Sequence, residues 1–397
     1  LLRFDTTDGN EAPAQAWLRE RFADLGFETY EWTADPETLA AHPSFPDEPD
    51  DSFADRPSVA AVHEFTEEGP TLVLNGHVDV VPADASGWTT DPFEPTWDGD
   101  ELTARGAADM KAGFAACLFA ALDIREAADR GDIDPAGRIV VESVAGEEEG
   151  GIGAAAAALA NPYPFERDAC IVAEPTELRP VVACEGTVMK RLELTGRSAH
   201  AAARWRGVDV LDGFERVRER FRALERERDE QVTHPLYDGY PVSWPVVCGT
   251  VEAGDWASTV PASLTAEWRI GVAPGETVAE VERAFEDALA VLTTEEWPFD
   301  QRFERFSVQF EPSEIDPAEP VVRAVQGGLE AVGLDTDTVG ATYGTDARHY
   351  IDAGVPTVVF GPGSIDEAHY PDETIDWGSV ETAVEVLTAS ARDYLSR

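Results

Sequence analysis

Short apolar runs closed by glycine turns alternate, along the first half of the chain, with longer amphipathic stretches. Leu72, Val73 and Leu74, followed by Asn75 and Gly76, read as a buried strand ending at a turn. Residues 139–143, 169–173 and 358–360 repeat the pattern. Trp17, Leu18, Phe22 and Leu25 recur at helical spacing, which predicts a helix over 11–30. Residues 33–57, rich in proline and acid, read as a surface loop or insertion. Strands alternating with helices up to Gly186 predict an α/β sheet covered by helices. From Thr187 the pattern changes. Strand 187–195, helix 207–226, strands 246–252 and 262–272, helix 277–292 and strand 303–311 give a β-α-β-β-α-β order, that of a two-layer ferredoxin-like α+β unit. Helix 319–332, strand 355–360 and helix 378–395 then resume the first unit. A chain of 397 residues is too long for one ordinary core. We expect a catalytic domain built from 1–186 and 313–397, interrupted by an inserted domain over 187–312.

Charged and titratable residues collect where the apolar runs stop. His77 and Asp79 share one face of an extended segment. An aspartate there can orient the imidazole, although a self-satisfied strand-end pair is the competing explanation. Asp109 precedes a helix rich in Ala, Leu and Phe. Glu147, Glu148 and Glu149 run into Gly150, Gly151 and Gly153, Glu174 closes another apolar strand, and His369 follows Gly361-Pro362-Gly363. Such acids are costly to bury unless paired or bound to a cation. Carboxylates with imidazoles and no cysteine partner suit zinc, with cobalt or manganese as substitutes. Ser198 and Ser364 lack a base with its orienter, so no covalent nucleophile is indicated. The loop at 340–349 lacks the Gly-Lys-Ser/Thr of a phosphate cradle. His349 competes with His369 as a ligand, while His42, His63 and His234 read as surface or structural histidines.

Taken in this order, the segments 71–81, 105–113, 139–153, 169–176 and 358–373 closely resemble the two-zinc metallopeptidases that include acetylornithine deacetylase, succinyl-diaminopimelate desuccinylase, aminoacylase and glutamate carboxypeptidase. The resemblance implies that His77 and Glu174 bind one zinc, Glu148 and His369 the other, and that Asp109 bridges both. Asp79 would steady His77, and Glu147 would be the general base. It also implies a non-proline cis peptide after Asp109. Gly146 stands where the family commonly has an acid; a register shifted to Glu148 and Glu149 is the competing alignment. Two metal ions of this kind activate a water and polarise a carbonyl, which is equipment for amide hydrolysis. In the inserted domain, the resemblance gives His200 an oxyanion-stabilising role in a partner's site across a homodimer, and Arg269 a substrate carboxylate, which its fork fits. His200 as a polar turn residue and Arg269 as a surface counter-charge are the plainer alternatives. Asp346 and Arg348 are expected near the substrate. A deacetylase of the acetylornithine type comes first, with desuccinylase, aminoacylase and carboxypeptidase-type dipeptidase beside it. A silent small-acid binder, or a structural dimer whose acids only hold salt cations, are the non-enzymatic alternatives.

Composition adds a setting. The chain carries 78 acidic and 30 basic residues, a formal net charge of −48. Its only lysines are Lys111 and Lys190. With 43% hydrophobic residues and 10 tryptophans it still has a full core, so disorder is not the explanation. Acid spread along the whole chain suggests a salt-loaded, haloarchaeal-type cytoplasm. There is no basic stripe for nucleic acid and no run of ~20 apolar residues for a membrane helix. No signal peptide is read at the start, Leu1-Leu2-Arg3. The cysteines, 117, 170, 184 and 248, lie in apolar contexts and are expected to be reduced thiols.

Overall fold

The computed structural model describes residues 1–45, 51–292, 297–307 and 309–396. A nine-stranded mixed sheet carries the first unit. At its centre strand Thr71–His77 lies between Arg138–Val144 and Ala169–Val172, parallel to both. All residues of Thr71–His77 and Ala169–Val172 are buried. A parallel strand covered on both faces needs apolar residues in sequence rather than alternation, which is why these runs are continuous. Alternation still sorts the side chains. Leu72 and Leu74 join a core with the helices Ala112–Asp129, Pro320–Val332 and Trp377–Leu395. Val73 joins the opposite core, with Ala154, Ala347 and Tyr350. Because the three strands run the same way, their C-terminal ends open at one edge, with His77 level with Val144. That edge is where ligands bind in such sheets.

Two expectations change in the first unit. The first helix spans only Ala12–Asp24, and Glu28–Trp32 is a strand paired antiparallel with Ser58–Glu64. Gly26 takes a left-handed φ of +84° and ends the helix, and the β-prone Thr29, Tyr30 and Trp32 follow. The stretch 33–57 is no mere surface loop, although 46–50 lie outside the described residues. It contains helix Pro36–Ala40, and its Leu39, Phe45 and Phe53 pack on Ile152, Ala155 and Ala156.

The second unit is a four-stranded antiparallel sheet in the order Val246–Ala253, Ser263–Val272, Gly186–Thr195, Asp300–Arg305. This is the ferredoxin-like order. Helices Val210–Gln231 and Val278–Ala290 cover one face, around Leu192, Phe221, Trp268 and Phe285. Its last strand ends earlier than the expected 303–311: residue 308 lies outside the described set, and Phe310 makes only an isolated bridge to Thr187. No described helix is long and apolar enough to cross a membrane.

Phe221 is fully buried, with its ring 5.0 Å from those of Trp268 and Phe285 and 5.4 Å from that of Phe303. Phe221→Ala should therefore destabilise the second unit by about 3–5 kcal/mol. Denaturant unfolding followed by tryptophan fluorescence checks this, and a loss under about 1 kcal/mol would contradict the packing.

Candidate metal and active site

The segments leaving the three central strands, and the one leaving the parallel strand Thr357–Val359 beside them, bring the titratable side chains together. His77, the last residue of its strand, has its Nδ1 at 3.0 Å from the carbonyl oxygen of Asp79. A carbonyl only accepts, so Nδ1 donates to it and Nε2 is left to face the carboxylates. That Nε2 lies 3.1 Å from Asp109 Oδ1 and 3.9 Å from Glu174 Oε2. The second histidine mirrors the first. His369 Nε2 lies 3.4 Å from Asp109 Oδ2 and 3.1 Å from Glu148 Oε1. Asp109 thus offers one oxygen to each histidine. The peptide following it is cis, as the resemblance implies.

The three glutamates diverge. Glu148 faces His369, whereas Glu149 meets Arg56, with Oε2 at 2.9 Å from Nη1. Glu147 is buried on the side of His77 and Glu174. Burial first, then the charges of Glu174 and Asp346, pushes the Glu147 carboxyl well above its usual range. Burial alone would also raise Asp109, but hydrogen bonds with His369 and His77 outweigh it and hold that carboxyl low.

The donor set fits divalent metal. His77, Glu147 and Glu174 form one group and His77, Asp109 and Glu148 another, with ligand atoms within 4.8 Å of one another in each. Four carboxylates against two imidazoles leave an excess of buried negative charge, which cations would neutralise. Hard oxygens with imidazole nitrogens suit zinc, cobalt or manganese.

Other expected residues lie elsewhere. The Asp79 carboxylate stands 3.7 Å from His77 Nδ1 and instead accepts the N–H groups of Gly146 at 2.8 Å and Glu148 at 3.0 Å. Its carbonyl, not its carboxylate, orients the histidine. His200 is exposed, and its Nδ1 accepts the N–H of Ala202. Arg269 donates from Nη1 to Glu185 at 2.7 Å and from Nη2 to the Thr342 carbonyl at 3.1 Å, and its side chain stays a quarter exposed. Asp346 and Arg348 are buried beneath the glutamate loop rather than at its mouth. His349 is buried too and points its Nε2 at the Gly150 carbonyl, away from the His369 group.

Three supporting residues were not singled out from the sequence. Glu373 accepts the N–H groups of Gly106, Ala108 and Asp109 and a bond from Arg105, which fixes the turn presenting Asp109. Arg56 joins buried Glu11 to Glu149. Glu185 is fully buried against Arg269. A glutamate ending the apolar strand Val181–Cys184 repeats the pattern of Glu174, and that signal could have flagged it.

A model of peptidase family M20/M25/M40 matches residues 73–393, which contain all the groups above except the N-terminal Glu11 and Arg56. Among solved structures the chain is similar to a tripeptidase from Staphylococcus aureus, at 19% identity and a TM-score of 0.75, over 100% of this chain and 96% of that one. An M20 family metallo-carboxypeptidase from Sulfolobus solfataricus is similar at 17% identity and a TM-score of 0.75, over 99% and 97%. A di-peptidase from Saccharomyces cerevisiae is similar at 15% identity and a TM-score of 0.74, over 100% and 94%. At these identities the likeness speaks for the fold, whereas the family match covers most of the chain and the clustered ligand groups agree with it. The chain belongs to peptidase family M20/M25/M40 and is a metal-dependent peptidase or amidohydrolase.

Proposed function

We propose that this protein hydrolyses the amide of an N-acyl amino acid or a short peptide bearing a free carboxylate. One observation carries the reading: Asp109 divides its two oxygens between His77 and His369, with buried Glu147 alongside. Two zinc ions held by His77, Glu174, Asp109, Glu148 and His369, with cobalt or manganese as substitutes, would activate a water and polarise the scissile carbonyl. Glu147 then takes the proton of that water and passes it to the departing amine. Arg269 offers its fork to the substrate carboxylate while Glu185 keeps the guanidinium in place. The finer reading is a deacetylase of the acetylornithine type. The names tripeptidase, di-peptidase and metallo-carboxypeptidase among the similar structures put short peptides in the same panel.

The unit 187–312 would act as an inserted lid, supplying Arg269 and excluding water on closure. It would also join two chains. Strand Val246–Ala253 is an edge of its sheet, with Val247 and Val251 half exposed, and an unpaired edge of that kind favours addition of a second copy. His200 would then serve the partner's site. The protein is proposed to work in the salt-rich cytoplasm of a halophile, where its free cysteines stay reduced.

Hydrolysis of N-acetylornithine, other N-acetyl amino acids, succinyl-diaminopimelate and dipeptides, in about molar potassium chloride, should be abolished by a chelator and restored by zinc or cobalt. Glu147→Gln is expected to lower kcat by about 10²–10⁴-fold with both metals still bound. Undiminished turnover in that variant would remove Glu147 from the chemistry. Burial pushes the Glu185 carboxyl up to about 7, against the pull of Arg269. As pH falls through that value Glu185 gains a proton and stops neutralising the arginine, which then holds a carboxylate more tightly. KM for carboxylate-bearing substrates should fall between about pH 8 and about pH 6, and Glu185→Gln should flatten the change. The thermal unfolding midpoint should rise steadily from roughly 0.1 to 1 M potassium chloride, as the Debye length shrinks from about 10 to about 3 Å. A flat response would contradict the halophilic setting.

A further inference from the structure

The loop carrying Glu147 is gripped at one carbonyl. Gly150, three residues after the base, accepts from Arg348 Nη2 at 2.6 Å, and its oxygen lies 3.0 Å from His349 Nε2. Burial pushes the His349 imidazole well below its usual range, so the ring is neutral and Nε2 carries the donated proton. Both lone pairs of the Gly150 oxygen are thereby used. Arg348 spends its other fork on the Thr345 carbonyl at 2.8 Å, and neither carboxylate oxygen of Asp346 has a hydrogen-bond partner among the described residues. A guanidinium this deeply buried is held by shape and by π contact as well as by hydrogen bonds.

The π contact comes from an unexpected quarter. The Arg348 guanidinium carbon sits 4.0 Å from the centroid of the Phe310 ring. Phe310 lies where the chain returns from the second unit, and it exchanges both backbone hydrogen bonds with Thr187, where the chain enters that unit. Its ring is wedged. A Cβ on Gly344 would come within 2.5 Å of Phe310 Cδ1, so this glycine leaves room for the ring against Arg348. A second link runs in parallel: Gln309 donates its N–H to the Ser44 carbonyl, and Phe45 next to it stacks on His349 at 6.3 Å and 10°.

We propose that Arg348 and His349 are positioning residues that tie the crossing strands to the base loop, with Phe310 setting the plane of Arg348. A change in angle at the crossing moves Phe310, then Arg348, then the Gly150 carbonyl and with it the Glu147 carboxylate. The proposal rests on Glu147 being the base for its kinetic arm, but the mechanical link does not. It gives Arg348 work distinct from the substrate contact expected from the sequence. Small displacements of a base are enough to matter, because about 1 Å of misplacement can cost 10²-fold in rate.

The test uses Phe310→Ala, which leaves every hydrogen bond of Arg348 possible, with Phe310→Tyr as the conservative control. Arg348→Lys is a second disruptive variant. Backbone hydrogen exchange of the full-length protein is read over 145–153 and, as reference, over 186–195. Phe310→Ala and Arg348→Lys are expected to speed exchange over 145–153 by about tenfold or more beyond any change in the reference, and Phe310→Tyr to leave it as in the parent. In the same samples kcat should fall about tenfold to hundredfold with KM within about twofold, with metal content unchanged. Equal exchange over 145–153 in Phe310→Ala and the parent overturns the link, as does a tyrosine variant as impaired as the alanine one. If the parent protein cleaves no amide in the panel, the function assigned to Glu147 falls, and the exchange result alone decides the link.

Discussion

Like charge in a dry place governs this structure. Asp109, Glu147, Glu148 and Glu174 converge on two imidazoles at an edge of the sheet where little of any of these carboxylates meets water. Carboxylates at such separations cannot all stay ionised unaided. Burial pushes Glu147 and Glu174 well up, while the two histidines hold Asp109 down. Divalent cations held here would relieve the conflict, because the same buried field that makes the acids costly favours a bound cation. The parallel strands are what impose the convergence. Three neighbours ending together, with Thr357–Val359 parallel beside them, bring their following segments to one end of the sheet.

The carboxylates around that cluster do a different job. Asp79 accepts two backbone N–H groups of the glutamate loop, and Glu373 accepts three of the turn before the helix Ala112–Asp129. Each takes up amides that would otherwise be buried without partners, and charge-assisted bonds of this type are stronger than neutral ones. Positively charged groups act on the outer side. Arg56 draws Glu149 away toward Glu11, which leaves Glu148 for His369. The three consecutive glutamates are therefore told apart by their partners rather than by their order alone.

The clustering of His77, Asp109, Glu147, Glu148, Glu174 and His369 was readable because these residues sit beside breaks in apolar runs, and the second unit because its period switches from strand to helix in a known order. The supports were not readable for a physical reason. Glu373 acts on amides 264 to 267 positions away, and a backbone N–H leaves no mark in the sequence. Gly146 shows the same gap from the other side. Read as a missing acid, it is a backbone requirement here: its φ is +74°, a Cβ would meet Ile152 Cδ1 at 2.7 Å, and its N–H serves Asp79. Residues 33–57 misled because proline and acid masked three aromatic or aliphatic anchors, Leu39, Phe45 and Phe53.

The placement of the two lysines bears on the charge of the chain. Both are buried: Lys111 bonds the Thr6 hydroxyl and the Phe4 carbonyl, and Lys190 bonds Glu282 and Glu286. No lysine is left to face solvent, where every exposed cation is an arginine. A lysine stem adds flexible apolar surface and a strongly hydrated point charge, whereas a guanidinium is more weakly hydrated and pairs with carboxylates through a planar fork. On a surface so dense in acid, arginine pairs such as Arg19 with Glu31 and Arg305 with Glu282 neutralise charge locally, and salt screens what remains. The two lysines lie where compact burial among a defined set of oxygens suits an ammonium.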